Sequence, residues 1–332
     1  MNNKLVDKFG RSYKYLRISV TDRCNFRCKY CMPQHNFKML SHQDILSYED
    51  IIFIVKTLTE VGIEKIRITG GEPLVRKNIS YMFEQLGKIE KIKDLTLTTN
   101  GSLLKKYAKV IFDSGVRRIN ISLDSLKDDR YEYITGGFNL KHIIDSINYA
   151  KSIGFNPIKI NVVAIKGFND DEILDFCDFA AKNSFNVRFI EFMPLESSIE
   201  WKKENILTGK EIIDIISKQY EVKKIDKNKY SGPSEDYLLS NGAKIGIITP
   251  ISNHFCNSCD KLRLTADGKL RPCLLSNYEV DLKPAIINSD KELLLKLIND
   301  SLNLKYEKHS VDCSENNSKN GKYGRNMFEI GG

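Results

Sequence analysis

The chain has 332 residues, 41% of them hydrophobic and 28% charged, with a net charge of +8. That is enough apolar material for a full buried core, and the length fits one large domain or a large domain with a smaller one. The longest apolar runs, such as residues 51–55, fall far short of the roughly 20 needed to span a bilayer, and the first ten residues show no apolar signal region, so a cytosolic protein is expected. The positive charge fits nucleic acid, an anionic membrane surface, a small polyanion or merely lysines on a solvated surface, and charge alone does not choose among them.

From Tyr13 to Met193 short β-rich segments alternate with helical ones. Strands are expected at residues 16–20, 65–69, 95–98, 118–122, 158–163 and 187–192, and helices at 48–61, 79–87, 103–114, 140–153 and 170–183. Ser47 with Asp50 three residues on reads as a helix start, and Gly115 and Gly154 as helix stops. Such alternation implies parallel strands with right-handed crossovers. The fold class expected is α/β, an incomplete (β/α)6 TIM-like barrel over residues 1–194.

After Pro194 the rhythm breaks. A helix is expected at 209–217, then a polar stretch over 223–236, an apolar segment at 244–248 and a helix at 290–302. Residues 195–332 are read as an α+β extension that covers the open side of the barrel. Residues 305–326 read as a polar, mobile tail, ending in Gly331-Gly332 after the apolar patch Met327-Phe328-Glu329-Ile330.

Of eight cysteines, six form two triplets, Cys24/Cys28/Cys31 and Cys256/Cys259/Cys273, a clustering that in a reducing cytosol points to metal. The first triplet follows the first expected strand, where α/β barrels place their chemistry. Three thiolates can hold three irons of a cubane cluster and leave one iron open. The competing reading is structural zinc, with His35 as a fourth ligand. The second triplet, read alone, is open between a zinc ribbon with His254 and a second cluster. Cys177 reads as a small buried hydrophobe, Cys313 as a free thiol in the tail; His142 and His309 have no partner in the sequence.

Four expected strands carry a cation between apolar neighbours: Arg17, Arg67, Lys159 and Arg188. A buried unpaired charge costs several kcal/mol, so an inward-facing set requires an anionic partner. The bland reading of any single one is snorkelling or a local ion pair.

The segment Arg17-Ile-Ser-Val-Thr-Asp-Arg-Cys24-Asn-Phe-Arg-Cys28-Lys-Tyr30-Cys31-Met-Pro33 resembles the radical S-adenosylmethionine (SAM) signature, and Gly70-Gly71-Glu72-Pro73 is similar to the GGEP motif of that superfamily. With the block Cys256 to Cys273 and the terminal Gly331-Gly332, the chain resembles the molybdenum cofactor biosynthesis protein A family of GTP 3',8-cyclases. The resemblance implies two [4Fe-4S] clusters, on Cys24, Cys28 and Cys31 and on Cys256, Cys259 and Cys273. It implies SAM contacts from Tyr30, Gly71, Ser122 and Met193, although Ser122 alone would read as a capping hydroxyl and Met193 as a core methionine. It implies GTP contacts from Arg17, Arg67, Thr98, Lys159, Arg188, Lys261, Leu262 and Arg263, with Gly331 and Gly332 assisting catalysis. Lys261 stands where the family usually has Arg, which keeps charge but loses bidentate phosphate geometry.

In the reaction so implied, SAM cleavage yields a 5'-deoxyadenosyl radical that takes the ribose C3' hydrogen of GTP, and the new carbon radical closes on C8 of guanine. Implied partners are a flavodoxin or ferredoxin as electron donor and a cyclic pyranopterin monophosphate synthase that receives the product, the cyclase being a monomer or homodimer that binds neither nucleic acid nor membrane. Competing readings are another twin-cluster radical SAM enzyme that matures a peptide, and a zinc-ribbon nucleic-acid binder.

Overall fold

β1 (Tyr15–Ser19) has Leu16 and Ile18 fully buried on one face and Tyr15 and Arg17 on the other. This period-2 division recurs along the sheet and decides what the cavity face carries. The computed structural model describes residues 4–33, 38–195, 199, 201–226, 232–309 and 325–331.

Five further β/α steps follow: α1 (Tyr48–Glu60), β2 (Lys65–Thr69), α2 (Ile79–Gly87), β3 (Asp94–Thr99), α3 (Leu104–Asp113), β4 (Arg118–Ser122), α4 (Asp128–Thr135), α5 (Leu140–Ile153), β5 (Ile158–Ala164), α6 (Ile173–Asn183) and β6 (Asn186–Glu191). The local signals act as their chemistry requires. Ser47 and Asp50 form a reciprocal capping box at the start of α1. Gly154, at φ +112°, ends α5 in a conformation that costs a residue with a side chain dearly. α4 has no counterpart among the expected helices; its short, polar sequence hides the apolar period, and Tyr131 and Ile134 are buried all the same.

β1 to β6 lie side by side in chain order and parallel. The remaining elements are α7 (Gly209–Ser217), β7 (Val222–Ile225), β8 (Glu235–Leu239), β9 (Lys244–Ile248), β10 (Lys261–Leu264), β11 (Lys269–Arg271), β12 (Val280–Asp281), α8 (Lys283–Ile287), α9 (Lys291–Asn303) and α10 (Met327–Ile330). β10 pairs parallel with β1 and β9 parallel with β6, so strands of the later part of the chain extend both edges of the parallel core. The sheet is open, with β12 and β7 at its ends.

The expected polar stretch over 223–236 holds most of β7 and the start of β8, an antiparallel pair added to β9. β7 is exposed from Lys223 to Ile225, so no alternation marks it in the sequence. Residues 227–231 and 310–324 lie outside the described residues, and with them Cys313 and the middle of the expected tail. Cys177 is fully buried in α6, as expected.

Candidate active site

Side chains from β1, β2, β4, β5, β6, β9 and β10 line one cavity, so the inner face of the sheet is concave. Arg17, Arg67, Lys159, Arg188, Lys261 and Arg263 all reach it, and the structure adds Tyr15, Lys65, Arg118, Asn120 and Asn161. Strand register places Arg17 between Arg67 on β2 and Arg263 on β10. Arg118 is held by Asp94 through two hydrogen bonds, and Lys261 by Asp260 at 2.9 Å.

Packing like charges together with little water around them weakens the hold of each on its proton. Burial, then Arg263, pull Arg17 down to about 10, and burial, then Arg17 and Arg118 against a favourable Tyr15, pull Arg67 to about 10. Lys159 drops to about 7 through burial and the cations Arg188, Arg118 and Arg67. Burial raises the Tyr15 phenol, but Arg67, Arg17, Lys261 and Arg118 outweigh it and the net shift is downward. The cavity favours a polyanion strongly.

The two cysteine triplets relate to opposite ends of β1, and the second of them lines the cavity. Cys256, Cys259 and Cys273 line it near the start of β1, because Lys261, two residues after Cys259, is the register partner of Tyr15. Cys24, Cys28 and Cys31 follow the far end of β1, which is roughly 13 Å away at about 3.3 Å per residue. Burial raises Cys24 to about 11, with Glu72 adding to it, and raises Cys28 and Cys31, each further raised by neighbouring thiols of the triplet. Three half-buried thiols close enough to repel one another as thiolates fit a cationic iron cluster that offsets the cost. The second triplet fits one as well. Burial raises Cys259, yet Lys305, at 3.6 Å from its Sγ, and Lys261 bring it below its ordinary value.

Around the first triplet the expected residues are positioned as follows. The N–H of Gly71 donates to the Thr21 carbonyl at 2.7 Å, and a Cβ at Gly71 would overlap the Arg23 backbone, so only glycine lets the two loops meet. The Tyr30 hydroxyl hydrogen-bonds Asp124 and the Cys28 thiol. Ser122 ends β4 on the inward face, and Met193 lines the cavity. Thr98 accepts from Arg67 at 3.4 Å. Leu262 is fully buried, its side chain in the core and its residue paired with Leu16.

α10 docks at the end of β1 that leads to the first triplet. The Phe328 N–H bonds the Cys31 thiol, Arg263 donates to the Gly331 carbonyl at 3.3 Å, and Gly331 packs on Ser19 and Thr69. Arg325 anchors this segment to Asp267 at 2.7 Å and Glu279 at 2.6 Å. Gly332 lies outside the described residues, as does His35.

Several site residues escaped sequence reasoning. Arg11 donates to the Cys256 carbonyl at 3.0 Å and is held by Asp7 at 2.7 Å. Lys305, in the expected tail, is buried. His309 stacks on His254 at 4.0 Å, and both group with Cys256, ligand atoms within 4.8 Å. No local pattern announces Arg11, Lys305 or His309, which only the fold brings to the site, whereas His254 was a candidate ligand from the sequence.

A parallel α/β sheet whose first strand runs into a triplet of half-buried thiols defines a radical SAM protein, and residues 18–180 match that superfamily. The fold is shared with SuiB of Streptococcus suis bound to the precursor peptide SuiA, at TM-score 0.62 and 16% identity over 89% of this chain and 66% of that one. It is also shared with native anSMEcpe with bound AdoMet, at TM-score 0.57 and 15% identity over 86% and 79%. Residues 185–311 match the family described as Molybdenum Cofactor Synthesis C. The GTP 3',8-cyclase of Alkaliphilus metalliredigens is 43% identical, covering 99% of this chain and 100% of that protein. That of Geobacter sulfurreducens is 43% identical over 93% and 95%. The chain belongs to the GTP 3',8-cyclase family.

Proposed function

We propose that the chain cyclises GTP to (8S)-3',8-cyclo-7,8-dihydroguanosine 5'-triphosphate, the first step of molybdenum cofactor biosynthesis, with a [4Fe-4S] cluster on each cysteine triplet. The observation that carries this is the row Arg67, Arg17 and Arg263, three guanidiniums at one register level in a cavity that the second triplet lines, on strands of which β1 leads to the other triplet. When bound, the cluster on Cys24, Cys28 and Cys31 supplies with SAM the one-electron chemistry that makes a 5'-deoxyadenosyl radical.

The chain's own residues bind and orient. Arg17, Arg67, Lys159, Arg188, Lys261 and Arg263 hold the triphosphate, since phosphate oxygens accept from guanidinium and ammonium at once. Gly71, Tyr30, Ser122 and Met193 position SAM on the other side. Thr98 orients Arg67, and Leu262 keeps the two flanking cations on the cavity face by burying its own side chain opposite. Cys256, Cys259 and Cys273 stand where the guanine end of the nucleotide lies. Gly331, whose carbonyl accepts from Arg263, and the following Gly332 assist the step after SAM cleavage.

On this reading residues 1–194 form a partial barrel with the first cluster, and residues 195–332 carry the second and cover its open side. The enzyme is cytoplasmic, draws its electron from a flavodoxin or ferredoxin, and passes its product to a cyclic pyranopterin monophosphate synthase. Among the described residues no helix is long and apolar enough to cross a membrane. Zinc at the second triplet is the second reading, favoured by the grouping of His254, Cys256 and His309. The test is anaerobic incubation of purified protein with SAM, dithionite and GTP, followed by mass analysis of the nucleotide, with iron, sulfide and zinc measured on the same sample. A cyclised nucleotide and iron at both triplets support the reading; unchanged GTP or one equivalent of zinc overturns it.

A further inference from the structure

The inward face of β4 carries Arg118, Asn120 and Ser122 in succession, with Ile119 and Ile121 fully buried on the other face. Arg118 is bound to Asp94, and Ser122 ends the strand near the first triplet. Between them Asn120 is only 2% exposed and lines the cavity, and its Oδ1 has no hydrogen-bond partner. Its register neighbours are Thr98 on β3 and Lys159 on β5. A buried carbonyl oxygen without a donor is costly, and native proteins keep such groups chiefly where something else supplies the missing bond.

The donor can be identified by elimination among the groups of a nucleoside triphosphate. An ionised triphosphate presents acceptors only, so it cannot satisfy a carbonyl oxygen. The guanine N–H groups belong, on the proposed reading, near Cys256, Cys259 and Cys273, at the opposite end of β1. The sugar hydroxyls remain. Asn120 also lies one inward step, roughly 7 Å, from Ser122 at the SAM end, which is where a sugar carbon must sit if SAM-derived chemistry is to reach it.

We propose that Asn120 Oδ1 accepts a hydrogen bond from a ribose hydroxyl of the nucleotide and thereby sets both the enzyme's preference for a ribonucleotide and the aim of the sugar. This rests on the GTP reading above. Ribose hydroxyls also occur on SAM, so the experiment separates the two sources.

Dissociation constants are measured anaerobically, without reductant, on the cluster-loaded full chain for GTP, 2'-deoxy-GTP, 3'-deoxy-GTP and SAM. Wild type, Asn120→Ala and Asn120→Asp are compared, and iron content and visible absorbance confirm that each variant is folded. Wild type is expected to bind one of the two deoxynucleotides about three- to ten-fold more weakly than GTP. Asn120→Ala should lower GTP to that deoxynucleotide's level while leaving the deoxynucleotide and SAM unchanged. Asn120→Asp, which keeps an acceptor in place, should retain the discrimination even if all nucleotides weaken together. Equal losses for GTP and both deoxynucleotides, or a loss confined to SAM, overturn the proposal. Failure of wild type to bind GTP at all would sink the functional reading beneath it, a result visible before any variant is made.

Discussion

Arg17 on β1 and Arg263 on β10 are register partners across a parallel ladder, so two guanidiniums from opposite parts of the chain face the same cavity side by side. Their repulsion adds to burial in pulling Arg17 down to about 10. The pair is a standing cost that an anion between them would remove.

Arg17→Gln and Arg263→Gln should each weaken GTP about ten- to a hundred-fold, the loss of a charge-assisted phosphate contact, and leave SAM nearly unchanged. Each should also raise the melting temperature of the nucleotide-free protein by about 1–3 °C, because one of two like buried charges is gone. Calorimetry with and without GTP reads both effects. Equal losses for GTP and SAM would mean that these arginines hold the fold.

Lys159 gives the pH dependence. Its folded value of about 7, set by burial and then by Arg188, Arg118 and Arg67, lies well below the unfolded value near 10.4. Between about pH 7 and 10.4 the unfolded chain binds the extra proton, so this group's penalty is full below pH 7 and is relieved as pH rises. Binding an anion does the reverse, drawing a proton onto Lys159, so GTP affinity should fall as pH rises above 7, by up to about ten-fold per unit. Titration at pH 6.5 and 8.5 checks this. Lys159→Arg should flatten the dependence, since an arginine stays charged throughout.

The triplets should fail independently. Cys28→Ala should abolish SAM cleavage, whereas Cys259→Ala should leave some cleavage without cyclised nucleotide, each variant falling from about eight irons to about four. A Cys259→Ala protein that still makes product would show that the second triplet is structural.

For the C-terminal segment, deletion of Gly331 and Gly332 should leave clusters and SAM cleavage intact with little or no 3',8-cyclo-GTP. Arg325→Ala should give the same pattern in weaker form, because its bonds to Asp267 and Glu279 are what fix the segment before α10. Product at the wild-type rate from the deletion would remove the tail from the mechanism. Lys261→Arg should tighten GTP slightly or leave it unchanged, since the present lysine is already engaged by Asp260.

The parallel core was readable because its signals are local. Strand segments such as Lys65–Thr69 and Arg118–Ser122, and helices such as Ile79–Gly87 and Leu140–Ile153, appear where apolar period and end signals put them. β7 and α4 were not, because exposed faces dilute the period of short elements. The cations Arg17, Arg67, Lys159 and Arg188 were legible as anomalies, and strand parity, a property of the backbone, turned them inward together.

What the sequence determined by itself was chemistry: two triplets of thiols, a set of strand cations and a glycine pair that permits close loop contact. What only the tertiary structure decided was juxtaposition. Arg17 meets Arg263, Lys305 meets Cys259, Arg11 meets the Cys256 carbonyl, and Phe328 meets Cys31, each across more than a hundred residues except the second and each through pairing of β10 with β1 or docking of the chain's end. Long-range contacts carry no periodic mark in sequence, since the loop that joins two partners can have almost any length at small entropic cost. Asn120 is the clearest case: its residue type says nothing, and only its burial between Arg118 and Ser122, with an oxygen left without a donor, gives it a role.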